Sequence, residues 1–246
     1  MNRDAGGETL AAVQSYVHYL QRLGVTELPV TLPPPVRAGT SAHPAHTSAA
    51  GLPTRIAPAE ATPVIRLAQL AATAHDCRQC GLHRSRTQVV FGTGDPAAAL
   101  VFVGEAPGHD EDLRGEPFVG PAGQLLTRII AAIGLTREQV YLLNIIKCRP
   151  PQNRNPQPDE IAACRPILQA QLACLQPRVL CALGTFAAQT LLHTEERISR
   201  LRGRFHRLGD LQVMPTYHPA FLLRNPQHKR AVWEDMQLVQ RALGLR

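Results

Sequence analysis

Four cysteines constrain this chain more than any other feature: Cys77 and Cys80, separated by two residues, and Cys148 and Cys164, separated by fifteen. A C-x-x-C pair lets two sulfurs of one turn converge on a single centre, and the fold must then bring the second pair to it. Thiolate is a soft ligand, so the set suits zinc or an iron–sulfur cluster, and four-cysteine ligation serves both. The plainer alternatives are buried free thiols or two disulfides, because cysteine is often just a small buried hydrophobe. Cys174 and Cys181 lie in apolar stretches with no paired spacing and read as core.

At 246 residues, 44% of them hydrophobic, the chain can hold one sizeable domain plus a tail. No apolar run approaches membrane-spanning length, and the opening MNRDAGGETL lacks a signal-peptide core. The expectation is a cytoplasmic protein with no membrane contact, a setting that favours metal-bound thiols over disulfides. The net charge is +7, yet residues 1–65 hold four basic and four acidic side chains. The whole excess therefore belongs to residues 66–246. A basic body beside a neutral tail points to a polyanionic partner, nucleic acid first.

Residues 8–24 read as an amphipathic helix, with Leu10, Val13, Val17, Leu20 and Leu23 at three- and four-residue steps. Thr26 to Ile65 holds eight prolines with almost no periodicity and reads as a flexible linker. The division expected is an N-terminal helix over 1–25, a linker over 26–65 and a catalytic domain over 66–246. In that last part, AALVFVGEAPG, VYLLNIIKC, RVLCALG and LQVMPTYHP are apolar strand candidates that alternate with helical sequence. The alternation argues for an α/β fold whose parallel sheet is covered on both faces, with ligands beyond the strands' carboxyl ends. Three polar motifs fall there: GEAPGHDED, Asn144 through Arg154, and His218. Their convergence predicts one active site.

The chemistry-bearing candidates follow from that placement. Gly104, Ala106 and Gly108 of GEAPG offer backbone amides beside Glu105, with Glu111 six residues on. Phe118 is an aromatic in a Gly/Pro-rich loop, suited to stacking on a planar ligand. Asn144 ends a strand, where its amide can read a donor–acceptor pair on a base edge. His218 stands at the sheet's carboxyl edge. RISRLRGRFHR, with Arg200, Arg202 and Arg204, carries five arginines and no acid, suited to phosphates.

Together GEAPGHDED, EPFVGPAGQLL, NIIKCRPPQNRNP, HPAFLLR and the cysteine framework resemble the family 4, or iron–sulfur, uracil-DNA glycosylases. The resemblance implies a three-layer α/β/α sandwich around a four-stranded parallel sheet. It also implies a 4Fe-4S cluster on Cys77, Cys80, Cys148 and Cys164, structural in the family rather than redox-active. Uracil would be flipped out of DNA, single- or double-stranded, into a pocket at the sheet edge. Phe118 would stack on it and Asn144 would pair with its N3–H and O4. His218 and the GEAPG amides would stabilise the departing anion near O2.

Family 1 relatives place an aspartate at the position of Ala106, so the water-orienting carboxylate falls jointly to Glu105 and Glu111, supported by Asn153. Many relatives have serine where Ala220 stands, and one phosphate contact is expected to be lost. Phe221 and Leu222 would fill the gap left by the flipped nucleotide, with Arg224 on the DNA side. PPQNRNP lacks the basic insertion of the covalent-trapping branch, and no lysine nucleophile stands at the strand ends, so a monofunctional, turning-over hydrolase is expected. It should act as a monomer, with the N-terminal tail available to a protein partner. The competing readings are a non-catalytic nucleic-acid binder and a glycosylase of the same fold acting on hypoxanthine or a thymine mismatch.

Overall fold

The computed structural model describes residues 62–245. The helix expected over 8–24, and the proline-rich stretch as far as Ala61, lie outside the described residues. The first described helix, α1 (Pro63–His75), starts where the Thr62 side chain accepts a hydrogen bond from the Ile65 N–H, with Pro63 in the first turn. A proline there forfeits only an N–H that has no helical partner anyway. Pro63 to Ile65, expected at the end of the linker, thus belong to the folded body. The helix stops at His75 and delivers Cys77 and Cys80 just beyond its end.

The sheet is built on the expected apolar runs and has six strands: β1 (Thr93–Gly94), β2 (Leu100–Gly104), β3 (Tyr141–Asn144), β4 (Val179–Leu183), β5 (His206–Leu208) and β6 (Leu211–Thr216). Their order is β1-β3-β2-β4-β6-β5. The four central strands are parallel, as expected. Two short strands that the sequence reading missed pair antiparallel at the edges, β1 on β3 and β5 on β6. A run of two or three residues is too short to show a period, and its pairing comes from the neighbour rather than from its own pattern.

Every residue of β2, β3 and β4 is buried. This is the signature of a sheet covered on both faces. One face, carrying Leu100, Phe102, Leu142, Cys181 and Met214, packs with Leu126 and Ile130 of α3 (Pro121–Ala132) and with Val232 and Met236. The alternate residues Val101, Val103, Leu143, Leu180 and Ala182 are equally buried. Helix α2 (His109–Arg114) follows β2, and α4 (Pro158–Leu175) precedes β4. In α4, Glu160, Cys164, Leu168 and Leu172 recur every fourth residue and are all buried, so the helix aims Cys164 inward. Past β4 come α5 (Thr185–Leu192) and α6 (Ile198–Leu201). After β6, α7 (Pro219–Arg224) and α8 (Lys229–Leu243) complete the described chain. The chain steps from β2 to β3 on one side and then returns past β2 to β4. That reversal makes a crevice at the strand ends, where doubly wound sheets bind their ligands.

One buried polar network anchors the carboxyl end of β6. Asp235 of α8 is wholly buried and accepts from the Thr216 hydroxyl at 2.6 Å and from Arg202 Nη2 and Nε at 2.8 and 3.1 Å. Burial nevertheless pushes the Asp235 carboxyl above its usual range, against the pull of these partners. Asp235→Ala would leave a largely buried guanidinium and a hydroxyl without their acceptor. We expect a loss of about 3 kcal/mol in urea unfolding. A loss below about 1 kcal/mol, the level of an exposed pair, would show that the network contributes little.

Candidate active site

The register of β2 on β3 sets Gly104 directly beside Asn144. A side chain at residue 104 would collide with both Asn144 Oδ1 and the Phe118 ring, so glycine there lets amide and ring share one space. Phe118 is 5% exposed and its backbone is left-handed, with φ at 57°. That conformation costs a bulky residue of order 1–3 kcal/mol and persists only where its surroundings enforce it. Two groups enforce it. Gly123 of α3 passes so close to the Phe118 carbonyl that a Cβ would overlap it. The Glu111 carboxylate accepts from the N–H groups of Val119 and Gly120 at 3.0 and 2.9 Å.

Asn144 is 2% exposed, and its Oδ1 has no hydrogen-bond partner among the described residues. A buried orphan acceptor is costly unless a ligand supplies the donor. It lies in a cleft of about 770 Å3 at the strand ends, whose walls include Glu105, Ala106, Gly108, Phe118 and His218.

The three groups expected to act jointly on water stand in different states. Glu105 faces the cleft with no hydrogen bond to its carboxylate among the described residues, and burial pushes it up to about 7. Glu111 is occupied: besides Val119 and Gly120, it accepts from the Gly108 N–H at 3.1 Å, stapling the two loops that form the pocket. Asn153 is exposed at the cleft wall, and its Oδ1 accepts from Arg149 Nε at 2.7 Å. Glu105 is thus the carboxylate of the three left free for chemistry.

His218 precedes α7 and its Nδ1 accepts from the Ala220 N–H at 3.1 Å. That bond puts the ring proton on Nε2, leaving a neutral donor for the cleft. Burial, aided by repulsion from Arg224, pushes His218 down to about 4. Its ring centroid lies 6.0 Å from that of Phe118.

Cys77, Cys80, Cys148 and Cys164 converge as expected and line one small cavity with Arg86 and Lys147. All are free thiols. Arg86 Nη1 lies 3.2 Å from Cys148 Sγ. Among the described residues no three His, Cys, Asp or Glu side chains form a group able to hold a metal ion. Burial raises the thiols of Cys148 and Cys164, the latter to about 11, against the pull of Arg86 on the first and Lys147 on the second. Cys181 is core, as expected, whereas Cys174 is only half-buried.

The expected DNA-facing residues divide. Arg200, Arg204 and Arg224 are exposed, and Arg224 lines the cleft. Arg202 is not free for a phosphate, because its fork is committed to Asp235 and its guanidinium sits 5.5 Å over the Tyr217 ring. Leu222 is 1% exposed and packed in the core, so it cannot serve as a wedge; Leu223 beside it is exposed. Phe221 reaches the cleft, stacked on Tyr217 at 5.1 Å. The sequence reading missed Tyr217 and His228 on that wall, and Lys147, which stands at a strand end but lines the cysteine cavity. A lone lysine between Ile146 and Cys148 was the available signal.

The profile of the Uracil DNA glycosylase superfamily matches residues 91–237. The type-4 uracil-DNA glycosylase of Archaeoglobus fulgidus is 44% identical over 176 residues, covering 68% of this chain and 88% of that protein. That of Thermotoga maritima is 46% identical over 165 residues, covering 65% of this chain and 86% of its own. A type-5 uracil-DNA glycosylase of Thermus thermophilus is 36% identical over 118 residues, covering 42% of this chain and 53% of its own. The matched span contains the whole parallel sheet and each side chain that faces the others across the cleft, and on that ground the chain belongs to the uracil-DNA glycosylase superfamily, among its type-4 members.

Proposed function

We propose that the protein hydrolyses the N-glycosidic bond of uracil in DNA, releasing free uracil and leaving an abasic site. The observation that carries this reading is the buried, unpartnered Oδ1 of Asn144 set against the Phe118 ring. Uracil turned out of the strand stacks on Phe118, gives its N3–H to Asn144 Oδ1 and takes the amide N–H at O4. Cytosine presents the opposite pattern on that edge and is refused. Bond cleavage builds negative charge near uracil O2 and positive charge on the sugar. The neutral His218 offers its Nε2–H to the first, at a worth of about 3–4 kcal/mol for one well-aimed donor. Glu105 orients the attacking water and faces the cationic sugar, the part that carboxylates play in glycoside hydrolysis. Glu111 and Asn153 act through the loops they hold.

Cys77, Cys80, Cys148 and Cys164 are assigned to a 4Fe-4S cluster. An all-thiol donor set around one cavity supports this. The cluster would tie α1, the β3 loop and α4 together as a structural staple. Arg200, Arg204 and Arg224 supply phosphate contacts to single- or double-stranded DNA. We read the protein as a cytoplasmic monomer whose N-terminal tail binds a protein partner.

A labelled oligonucleotide with one uracil, beside a cytosine control, tests the reading. Alkali-revealed scission is expected at uracil alone, and Asn144→Ala should slow it roughly a hundredfold. Intact DNA binding with no release of uracil would sink the assignment and favour a non-catalytic binder. A second prediction concerns pH. Glu105 is protonated below about 7 and ionised above it, whereas His218 stays neutral down to about 4. Single-turnover rates should therefore rise through pH 7, with no histidine limb between pH 5 and 9. Glu105→Gln should flatten that rise and lower the rate about a hundredfold. An unchanged profile in that variant would remove Glu105 from the chemistry.

A further inference from the structure

The turn that leaves β3 joins the cleft to the cysteine cavity within five residues, Asn144 to Cys148. Lys147 lies inside that turn. It is 1% exposed, and its Nζ donates to the Asn144 carbonyl oxygen at 2.6 Å. The rest of the turn is held by backbone. The Ile145 N–H donates to the Gly104 carbonyl and that of Ile146 to the Glu105 carbonyl, while the Lys147 carbonyl accepts from Val90. Asn144 is therefore gripped on its strand side by the β2 ladder and on its far side by one lysine. A long charged side chain is seldom buried without a partner that compensates it. Lys147 has two kinds: the Asn144 carbonyl and, around the same cavity, the sulfurs of Cys148 and Cys164. Arg86, the other cation there, faces Cys148 from the opposite chain segment and does not reach Asn144.

We propose that Lys147 is a positioning residue for the base-reading amide, linking the cysteine centre to Asn144 through one buried ammonium group. Its bond to the carbonyl holds the peptide leaving Asn144, and the peptide sets the direction of the Asn144 side chain. This rests on the reading of Asn144 as the uracil-recognising group. Removing the clamp lets the amide swing from the base edge while the pocket walls stay in place.

A double-mutant cycle on the intact, iron-loaded protein tests it, with Lys147→Met, Asn144→Ala and the pair. Lys147→Met is expected to keep the visible cluster absorbance and iron content of the parent and to remain folded at the assay temperature, with a fall of a few degrees in melting temperature. Its single-turnover rate on uracil should fall roughly tenfold to a hundredfold, the worth of one lost hydrogen bond from a charged donor. In the Asn144→Ala background the same change should cost less than about twofold, because the clamp then has nothing to aim. Additive losses would overturn the proposal alone. An Asn144→Ala protein that excises uracil at the parental rate would overturn the reading of that amide and the proposal with it. If the methionine variant fails to fold, Lys147→Gln, which keeps an N–H donor without the charge, should hold close to the parental rate, and a tenfold or greater loss that persists in the Asn144→Ala background would overturn the proposal.

Discussion

The parallel pairing of β2 with β3 is the constraint on which the rest of the site depends. Because Gly104 pairs with Asn144, a strand end without a side chain lies beside a strand end with an amide. The gap so created is where the Phe118 ring enters, and the left-handed backbone of Phe118 is what turns it inward. Glu111 and Gly123 then lock the loop against α3. A slip of one residue in this register would send Asn144 to the other face of the sheet. The recognition pocket is thus a property of one pair of strands, secured by its neighbours.

The same enclosure sets the electrostatics. Burial acts in opposite directions on two ionisable groups that line the pocket, raising Glu105 and lowering His218. Both shifts come chiefly from loss of water, which penalises whichever form is charged. A neutral histidine donor suits an anion developing on the leaving base, since it needs no proton transfer to act. A carboxylate poised near neutrality can be charged when a cationic sugar forms beside it. Two other buried carboxylates are compensated in pairs, Asp235 with Arg202 and Glu160 with Arg154 on the cleft wall.

Much of this was legible in the chain. Continuous apolar runs announced the four central strands, and the strand-end motifs announced the cleft, because both signals are local and repeated. The failures share a cause. Leu222 and Arg202 carry the residue types expected of a wedge and a phosphate contact, yet one packs into the core and the other binds Asp235, thirty-three residues away. Glu105 and Glu111 are chemically identical in sequence, and only the N–H groups gathered around Glu111 separate them. Lys147 drew no reading from the sequence and proved to be wholly inside.

The sequence by itself determined the architecture, the four-cysteine framework and the roster of polar groups at the strand ends, because spacing and periodicity record local geometry directly. The tertiary structure alone decided which of those groups are free. Whether a carboxylate meets water or three amides, whether an arginine meets phosphate or aspartate, and whether an amide keeps an empty acceptor depend on partners brought together by folding. Asp235 lies thirty-three residues from Arg202, and even the three amides of Glu111, within nine residues of it, are gathered only when two loops meet.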